Sequence, residues 1–300
     1  MEKKEEKEKQ ESKEKKIKLQ GHEKFALRDG WLNKGIRLIA DEKNANVFQG
    51  KEGSDVFGIG NNMVKSLRYW LKAFGLIEES SRNGACLTEI GKLIFQYDAY
   101  FEDIFTIWIL HSYIAKNVSE ATTWYMFFNR FDMEEFKKDE IEDCLKREIK
   151  KYLNGGKFAE SSLSVDIDVL LQMYSKEKKI TDPEDNNISP LVRLELIKKN
   201  DGIYIKQHPD HRKINEWNIL YELSIIMKDS KEISIDAISS GDKSLGAIYQ
   251  LSRIAINEML DKLEGLGYIN INRTAGLDMI YKKKEITPEQ VIEEYYKAHR

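Results

Sequence analysis

Two stretches far apart in the chain end a helix in the same way, and this repetition constrains the fold more than any other feature. Leu71 to Glu79 reads LKAFGLIEE and Leu263 to Ile271 reads LEGLGYINI. In each, an amphipathic run meets a glycine, the residue that most readily takes the left-handed conformation closing a helix. An alternating apolar–polar run then follows, as in a strand. Ahead of the first, Trp31, Leu32, Gly35, Leu38 and Ile39 keep helical spacing, and Val47 to Phe57 is short and glycine-punctuated. The turn Gly58-Ile59-Gly60 then leads into a helix over Asn61 to Phe74. After it, Leu76 to Glu79 predicts a strand, Ser80 to Gly84 a turn, and Thr88 caps a short helix over Ile90 to Phe95. The later copy predicts a strand over Ile233 to Ala237 and a short helix over Leu245 to Leu251. Ser252 caps a helix reaching Leu266, with Ile256, Met259, Leu260 and Leu263 on one face. Tyr268 to Ile271 and Met279 to Tyr281 are returning strands around a turn at Asn272 to Gly276.

This order is that of a winged helix-turn-helix, whose third helix enters a major groove. The expected fold class is mainly α with small β wings: tandem winged helix-turn-helix units joined by a helical middle region. Residues 1–20 form a disordered Lys/Glu-rich tail, 21–96 the N-terminal unit and 97–226 the helical middle. Residues 227–284 form the C-terminal winged-helix unit and 285–300 a final helix. In the middle, aromatic-rich Ile104 to Asn117 and Trp124 to Phe136, amphipathic Ile141 to Leu153 and helical Ser164 to Tyr174 precede a loop at Thr181 to Ser189. A short strand at Ile203 to Ile205 allows this region to be a further helix-turn-helix-like unit.

Charge separates these pieces. The 300 residues carry 48 bases against 51 acids, a formal net charge of −3. The first twenty residues hold eight lysines and six glutamates, or +2, leaving −5 for the rest. Coating of nucleic acid by the whole surface is therefore disfavoured, while a local basic element is not. Hydrophobic residues at 41% are enough for cores, yet no apolar run approaches a membrane span, and the N-terminus lacks a signal-peptide core. A cytoplasmic protein with no membrane partner is expected. Cys86 and Cys144 are the only cysteines, which excludes a disulfide framework and a four-cysteine zinc site.

The helix from Asn61 to Phe74 would be about 21 Å long, enough to lie across a major groove. Val64, Leu67, Leu71 and Phe74 form its apolar stripe, and Lys65, Arg68 and Lys72 recur on another face with no acid in the segment. Asn61 and Asn62 stand where a recognition helix meets base edges, and asparagine can bond adenine bidentately. Tyr69 can reach a phosphate and Arg82 sits in the wing turn. The plain alternative is a solvated basic face on a packing helix. The C-terminal counterpart differs, because Glu258, Asp261 and Glu264 outweigh Arg253 and Lys262. That favours protein contact over phosphate, although Lys282, Lys283 and Lys284 after its wing can touch a backbone.

Enzyme signatures fail. A phosphate-binding loop needs glycines where Val64 and Ile59 stand, and Gly58/Gly60 lacks the third glycine of a dinucleotide loop. His208-Pro209-Asp210-His211 has no cysteine nearby to complete a tetrahedral metal set. Asp166 or Asp168 with Glu177 and Lys179 has the spacing of some Mg²⁺-dependent nucleases, but the same segment fits a helix through Val165, Ile167, Val169, Leu170 and Tyr174. Trp108, Trp124, Phe127 and Phe128 read as core. No catalytic residue, metal or cofactor is assigned.

GHEKFALRDGWLNKG (Gly21 to Gly35), GIGNNMVKSLRYWLKAFGLIE (Gly58 to Glu78), LTEIGKLIF, DIDVLLQMY and ISPLVRLELI together resemble the bacterial domain-of-unknown-function family four-thousand-and-seven. The resemblance covers nearly everything after Gln20. It implies a role beside phosphoadenosine-phosphosulfate-reductase-like and cysteine-desulfurase-like proteins in DNA sulfur modification (phosphorothioation) and phage defence. It supplies no catalytic residues. Gly21, His22, Arg28 and Trp31 match the opening motif; this segment either straps the first unit or presents His22 and Arg28 to phosphates or a partner.

The expectation is a non-enzymatic, double-stranded-DNA-binding protein. It would act as a regulatory or targeting subunit of a DNA-modification or defence system, with sulfur-transfer or other defence proteins, or a second copy, as partners. The alternatives are a protein–protein adaptor using its winged helices and, more remotely, a metal-dependent nuclease.

Overall fold

The apolar stripes read from the sequence pair up in a computed structural model that describes residues 15–49, 52–175, 188–210, 213–274 and 276–299. Helices α1 (Trp31–Ile39), α2 (Gly53–Phe57) and α3 (Asn61–Ala73) precede a hairpin of β1 (Ile77–Ser80) and β2 (Gly84–Leu87). Helices α4 (Glu89–Asp98), α5 (Ile104–Lys116) and α6 (Thr122–Arg130) lead to β3 (Glu135–Phe136), α7 (Lys138–Tyr152) and α8 (Glu160–Ser175). Strands β4 (Ile197–Asn200) and β5 (Ile203–Lys206) follow. The last part comprises α9 (Glu216–Ile226), β6 (Glu232–Ser234), α10 (Ile235–Ser239), α11 (Leu245–Tyr249) and α12 (Arg253–Gly265). Strands β7 (Ile269–Thr274) and β8 (Leu277–Lys282) and helix α13 (Pro288–Ala298) close it. The fold is thus mainly α with small antiparallel sheets, and among the described residues no helix is long and apolar enough to cross a membrane.

One topology occurs twice, in the middle and last parts of the chain: a helix, a short strand, further helices, then a hairpin. The two three-stranded sheets have the orders β3-β5-β4 and β6-β8-β7, so in each the isolated first strand pairs with the last strand of its hairpin. The N-terminal part keeps a trace of the same arrangement, since the amide of Ala85 in β2 donates to the carbonyl of Ala45 at 2.7 Å. Alternation alone predicted neither β3, whose two residues have no period to read, nor β4, where Ile197 is followed by three polar residues. Three other differences have local causes. Of the strand expected over Ile233 to Ala237, only Ile233 and Ser234 pair; Ser234 then caps α10 by accepting from the Ala237 amide. The turn expected from Asn272 is shorter, because pairing runs to Thr274 opposite Leu277. Helix α9, placed in the middle region from sequence, packs on α12 and α13 and so groups with the last unit. The tail through Glu14 and most of the loop at Thr181 to Ser189 lie outside the described residues.

Buried polar residues join these parts. Asp166 of α8 is buried and accepts from three donors: the Gln20 amide (2.7 Å), His22 Nε2 (2.9 Å) and Thr123 Oγ1 (2.8 Å). The His22 ring stacks on Trp70 of α3 with centroids 5.5 Å apart. Gly21 is required beside it, since a Cβ there would meet the Tyr69 ring at 2.5 Å. The segment from Lys15 to Lys24 is therefore a strap across α3, α6 and α8. A second junction centres on buried Glu222 of α9, which accepts from Lys116 Nζ (2.6 Å) and Tyr249 Oη (3.1 Å), and from the Ser112 hydroxyl. Beside it, His111 Nε2–H donates to the Ile248 carbonyl (2.6 Å) and Nδ1 accepts from Tyr174 Oη (2.8 Å), the pattern of a neutral imidazole. Helix α13 returns to the first half, stacking Tyr296 on Tyr97 and Tyr295 on Phe105.

Two stability measurements follow. Asp166→Ala strands three donors, and removing one side of such a buried set costs about 3–5 kcal/mol. Asp168→Ala, two residues on and paired among the described residues only with Lys138 at the surface, should cost no more than about 1 kcal/mol in urea unfolding. Burial pushes His111 down to about 4. The unfolded chain takes up its proton first as pH falls, so stability is full above the ordinary histidine value and declines below it. This group should remove about 2 kcal/mol between pH 7 and pH 5. His111→Gln should flatten that part of the pH profile, and an unchanged slope would refute the assignment.

Candidate nucleic-acid interface

Helix α3 begins at Gly60, whose backbone is extended and offers no side-chain cap. The first amides of the helix therefore face outward, at the positive end of its dipole. Val64, Leu67, Trp70 and Leu71 are buried, and Gly35 lets α1 close on them: a Cβ there would lie 2.7 Å from Leu71 Cδ1. Gly75, at φ 67°, turns the chain into β1. Asn61, Asn62 and Lys65 are left exposed at the open end, with Lys65 Nζ 3.4 Å from Asn62 Oδ1. Lys34 of α1 adds a charge there, because its ammonium caps the Phe57 carbonyl at the end of α2. Sequence inspection did not find Lys34; its only signal is that α2 ends at Phe57 without a cation of its own.

Further along the helix, the expected basic row is present but not free. Glu79 of β1 accepts from Arg68 Nε at 2.7 Å and lies 3.3 Å from Lys72 Nζ. Glu79 is 13% exposed, against 41% for Arg68 and 34% for Lys72, so the carboxylate sits beneath two accessible cations. The helix itself holds no acid, as read from the sequence; the partner comes from the neighbouring strand. Arg82 is exposed in the hairpin turn and makes no ion pair among the described residues. Cys86 in the same hairpin is exposed, and partial burial followed by the nearby Glu78 carboxylate raises its thiol.

Two expected contacts are corrected and a third is placed. Tyr69 is buried and its hydroxyl donates to the Glu120 carbonyl at 2.9 Å, so it cannot reach a phosphate. Burial, with Asp166 and Glu120 nearby, holds that phenol well above its ordinary value. His22 is fully buried against Asp166 and Trp70, and serves the strap rather than a surface. Arg28 is half-buried with its guanidinium 5.4 Å above the Trp31 ring.

The C-terminal positions are mostly occupied. Arg253 pairs with Asp236 and, at 3.1 Å, with Asp278; Lys282 pairs with Glu285 at 2.8 Å. Lys284 pairs with Glu294 at 2.9 Å, and Lys283 is exposed without an ion pair among the described residues. In β7, Arg273 is held by Asp261 of α12 at 2.6 Å. The carboxylates read as a nuclease set do not assemble. Asp166 is fully engaged inside the core and Asp168 faces Lys138, while Glu177 and Lys179 lie outside the described residues. His208 Nδ1–H donates to the Gln250 carbonyl, and His211 is likewise outside the description. Among the described residues no three His, Cys, Asp or Glu side chains group as metal ligands.

A family model described as "Protein of unknown function (DUF4007)" matches residues 19–296. Two solved structures share the fold. One, titled "SspB crystal structure", is 21% identical with a TM-score of 0.81, covering 93% of this chain and 88% of that one. The other, titled "Magnesium ion-bound SspB crystal structure", is 20% identical with a TM-score of 0.82 and the same coverages. No curated protein matches the sequence.

Because Arg68, Lys72 and Glu79 meet at a partly exposed surface, their pairing is worth little to stability. Glu79→Gln should shift unfolding free energy by no more than about 1 kcal/mol in urea. A loss of several kcal/mol would mean that the triad is a structural element and not a surface one.

Proposed function

The chain belongs to the DUF4007 family of proteins of unknown function, and from the geometry of its first unit we propose that it is a non-enzymatic protein that binds double-stranded DNA. We read the recurring helix–strand–helix–hairpin arrangement as tandem winged helices. The observation that carries the reading is the end of α3, where Asn61, Asn62 and Lys65 are exposed at an uncapped helix N-terminus beside Lys34. Asparagine there suits base edges, and the open amides with Lys65 suit phosphates. Arg68 and Lys72 continue the row, with Arg82 in the wing as a further backbone contact. Lys283 is the accessible secondary cation at the other end of the chain. The role we infer is regulatory or targeting, in a bacterial cytoplasmic DNA-modification or phage-defence complex.

The last unit supports a different use of the same architecture. Helix α12 presents Ile254 at 72% exposure, and the arginines around it, Arg253 and Arg273, are each held by carboxylates. Such a face suits a protein partner better than a phosphate backbone. An adaptor built on α12 is the second reading.

A fluorescence-anisotropy titration with duplex DNA tests the first. The three contacts of α3 by themselves imply a loss of affinity of at least about 40-fold between 50 and 200 mM salt. Lys65→Ala should weaken binding to every sequence and lower the salt slope by about one unit. Unchanged affinity and slope would remove α3 from the interface. Repeating the titration with Mg²⁺ separates the nuclease alternative, which requires duplex cutting that is lost in Asp168→Ala.

A further inference from the structure

The middle unit has the same topology as the last unit but cannot use the element that the first unit offers. Its third helix, α8, buries Leu163, Ile167, Val169, Leu170, Leu171 and Tyr174, so apolar contact surrounds it on nearly every side. Its exposed positions include Glu160 and Asp168, which are carboxylates. No groove of a polyanion fits that helix.

The β4–β5 hairpin has the opposite character. Asp201 and Gly202 have φ of 45° and 84°, as in the two-residue turns that hold a hairpin in register, and Asn200 pairs with Ile203 across it. Lys198 and Lys199 are exposed on β4, and neither makes an ion pair among the described residues. Adjacent strand residues project to opposite faces, so one ammonium leaves each side of the ribbon. Lys199 is held 5.2 Å above the Tyr204 ring, and that ring stacks on buried Phe136 at 5.8 Å. The nearest acid in the same cross-strand row is Glu135, opposite Ile205 as Lys198 is on the other side. Two strand spacings separate its backbone from that of Lys198, and the two side chains make no ion pair. In a chain with more acids than bases, two exposed lysines with no ion pair among the described residues, on a hairpin closed by a two-residue turn, form a ready site for a polyanion.

We propose that the β4–β5 hairpin is a second nucleic-acid contact, in which Lys198 and Lys199 bind duplex phosphates. The proposal rests on the DNA reading of the first unit and assigns to the middle unit a contact through its hairpin in place of its helix.

The test is the full chain in the same salt titration, comparing wild type with Lys198→Ala/Lys199→Ala and Lys198→Arg/Lys199→Arg. Loss of two phosphate contacts lowers the slope by about 1.8 units, so the double alanine variant should lose about 12-fold less affinity than wild type between 50 and 200 mM salt. The arginine pair should keep the wild-type slope. A wild-type protein that binds duplex while the double alanine variant retains the full slope overturns this proposal and leaves the DNA reading intact. A wild-type protein that binds no duplex overturns both. Unchanged urea midpoints for both variants establish that the comparison is between folded proteins.

Discussion

The carboxylate of Asp166 is the interaction on which the rest of the structure depends. It lies in the interior and stays there because three donors from two parts of the chain satisfy it: the Gln20 amide and His22 of the strap, and Thr123 of α6. An unpaired carboxylate at that depth would cost more than the contacts around it return. The strap must therefore be in place for α3, α6 and α8 to pack. The aromatic wall formed by Tyr69, Trp70 and Trp124 around His22 extends the same requirement to the outer face of α3. The helix that offers Asn61 and Lys65 to solvent is thus anchored from behind by a polar knot and by the absence of a side chain at Gly21.

The other junctions use the same principle with different groups. Glu222 holds Lys116, Ser112 and Tyr249 together where α5 meets α9 and α11, and the neutral imidazole of His111 spans Tyr174 and the Ile248 carbonyl. Helix α13 returns from the last unit to lay Tyr295 and Tyr296 against Phe105 and Tyr97. The repeated units are thus fused through buried hydrogen bonds rather than strung on linkers. Fusion also explains why the three third helices differ. Helix α8 is enclosed by the strap and its neighbours, α12 has its arginines tied to carboxylates, and α3 alone of the three leaves an uncapped end with exposed asparagines and lysine.

The sequence made the outer two units readable because each ends a helix at a glycine and starts a strand, a local device that needs no knowledge of the interior. The stretches from Asn61 to Phe74 and from Ser252 to Leu266 form helices within a residue or so of the expected ends. The middle unit was less legible. Helix α8 is apolar on most sides and has little amphipathic period, and β3 is two residues long. The site was legible in the same proportion. Exposure of Asn61, Asn62 and Lys65 follows from their place opposite the apolar stripe, but Tyr69 shares that segment and turns inward to Glu120. For His22 the sequence left a strap and a surface contact open, because nothing beside it in sequence shows that Asp166, 144 residues on, accepts its hydrogen bond.

By itself, then, the sequence determined periodicity, glycine stops, caps and the separation of a basic helix from an acidic one, all of which are set within a few residues along the chain. The tertiary structure decided which polar groups face one another. It placed Glu79 beneath Arg68 and Lys72, Asp166 against His22, Asp278 against Arg253, and left Lys198 and Lys199 exposed without an ion pair among the described residues. The physical reason is that burial and Coulomb interaction act over ångströms in space and not over residues in sequence, so a charge has a meaning only once the fold has chosen its neighbours.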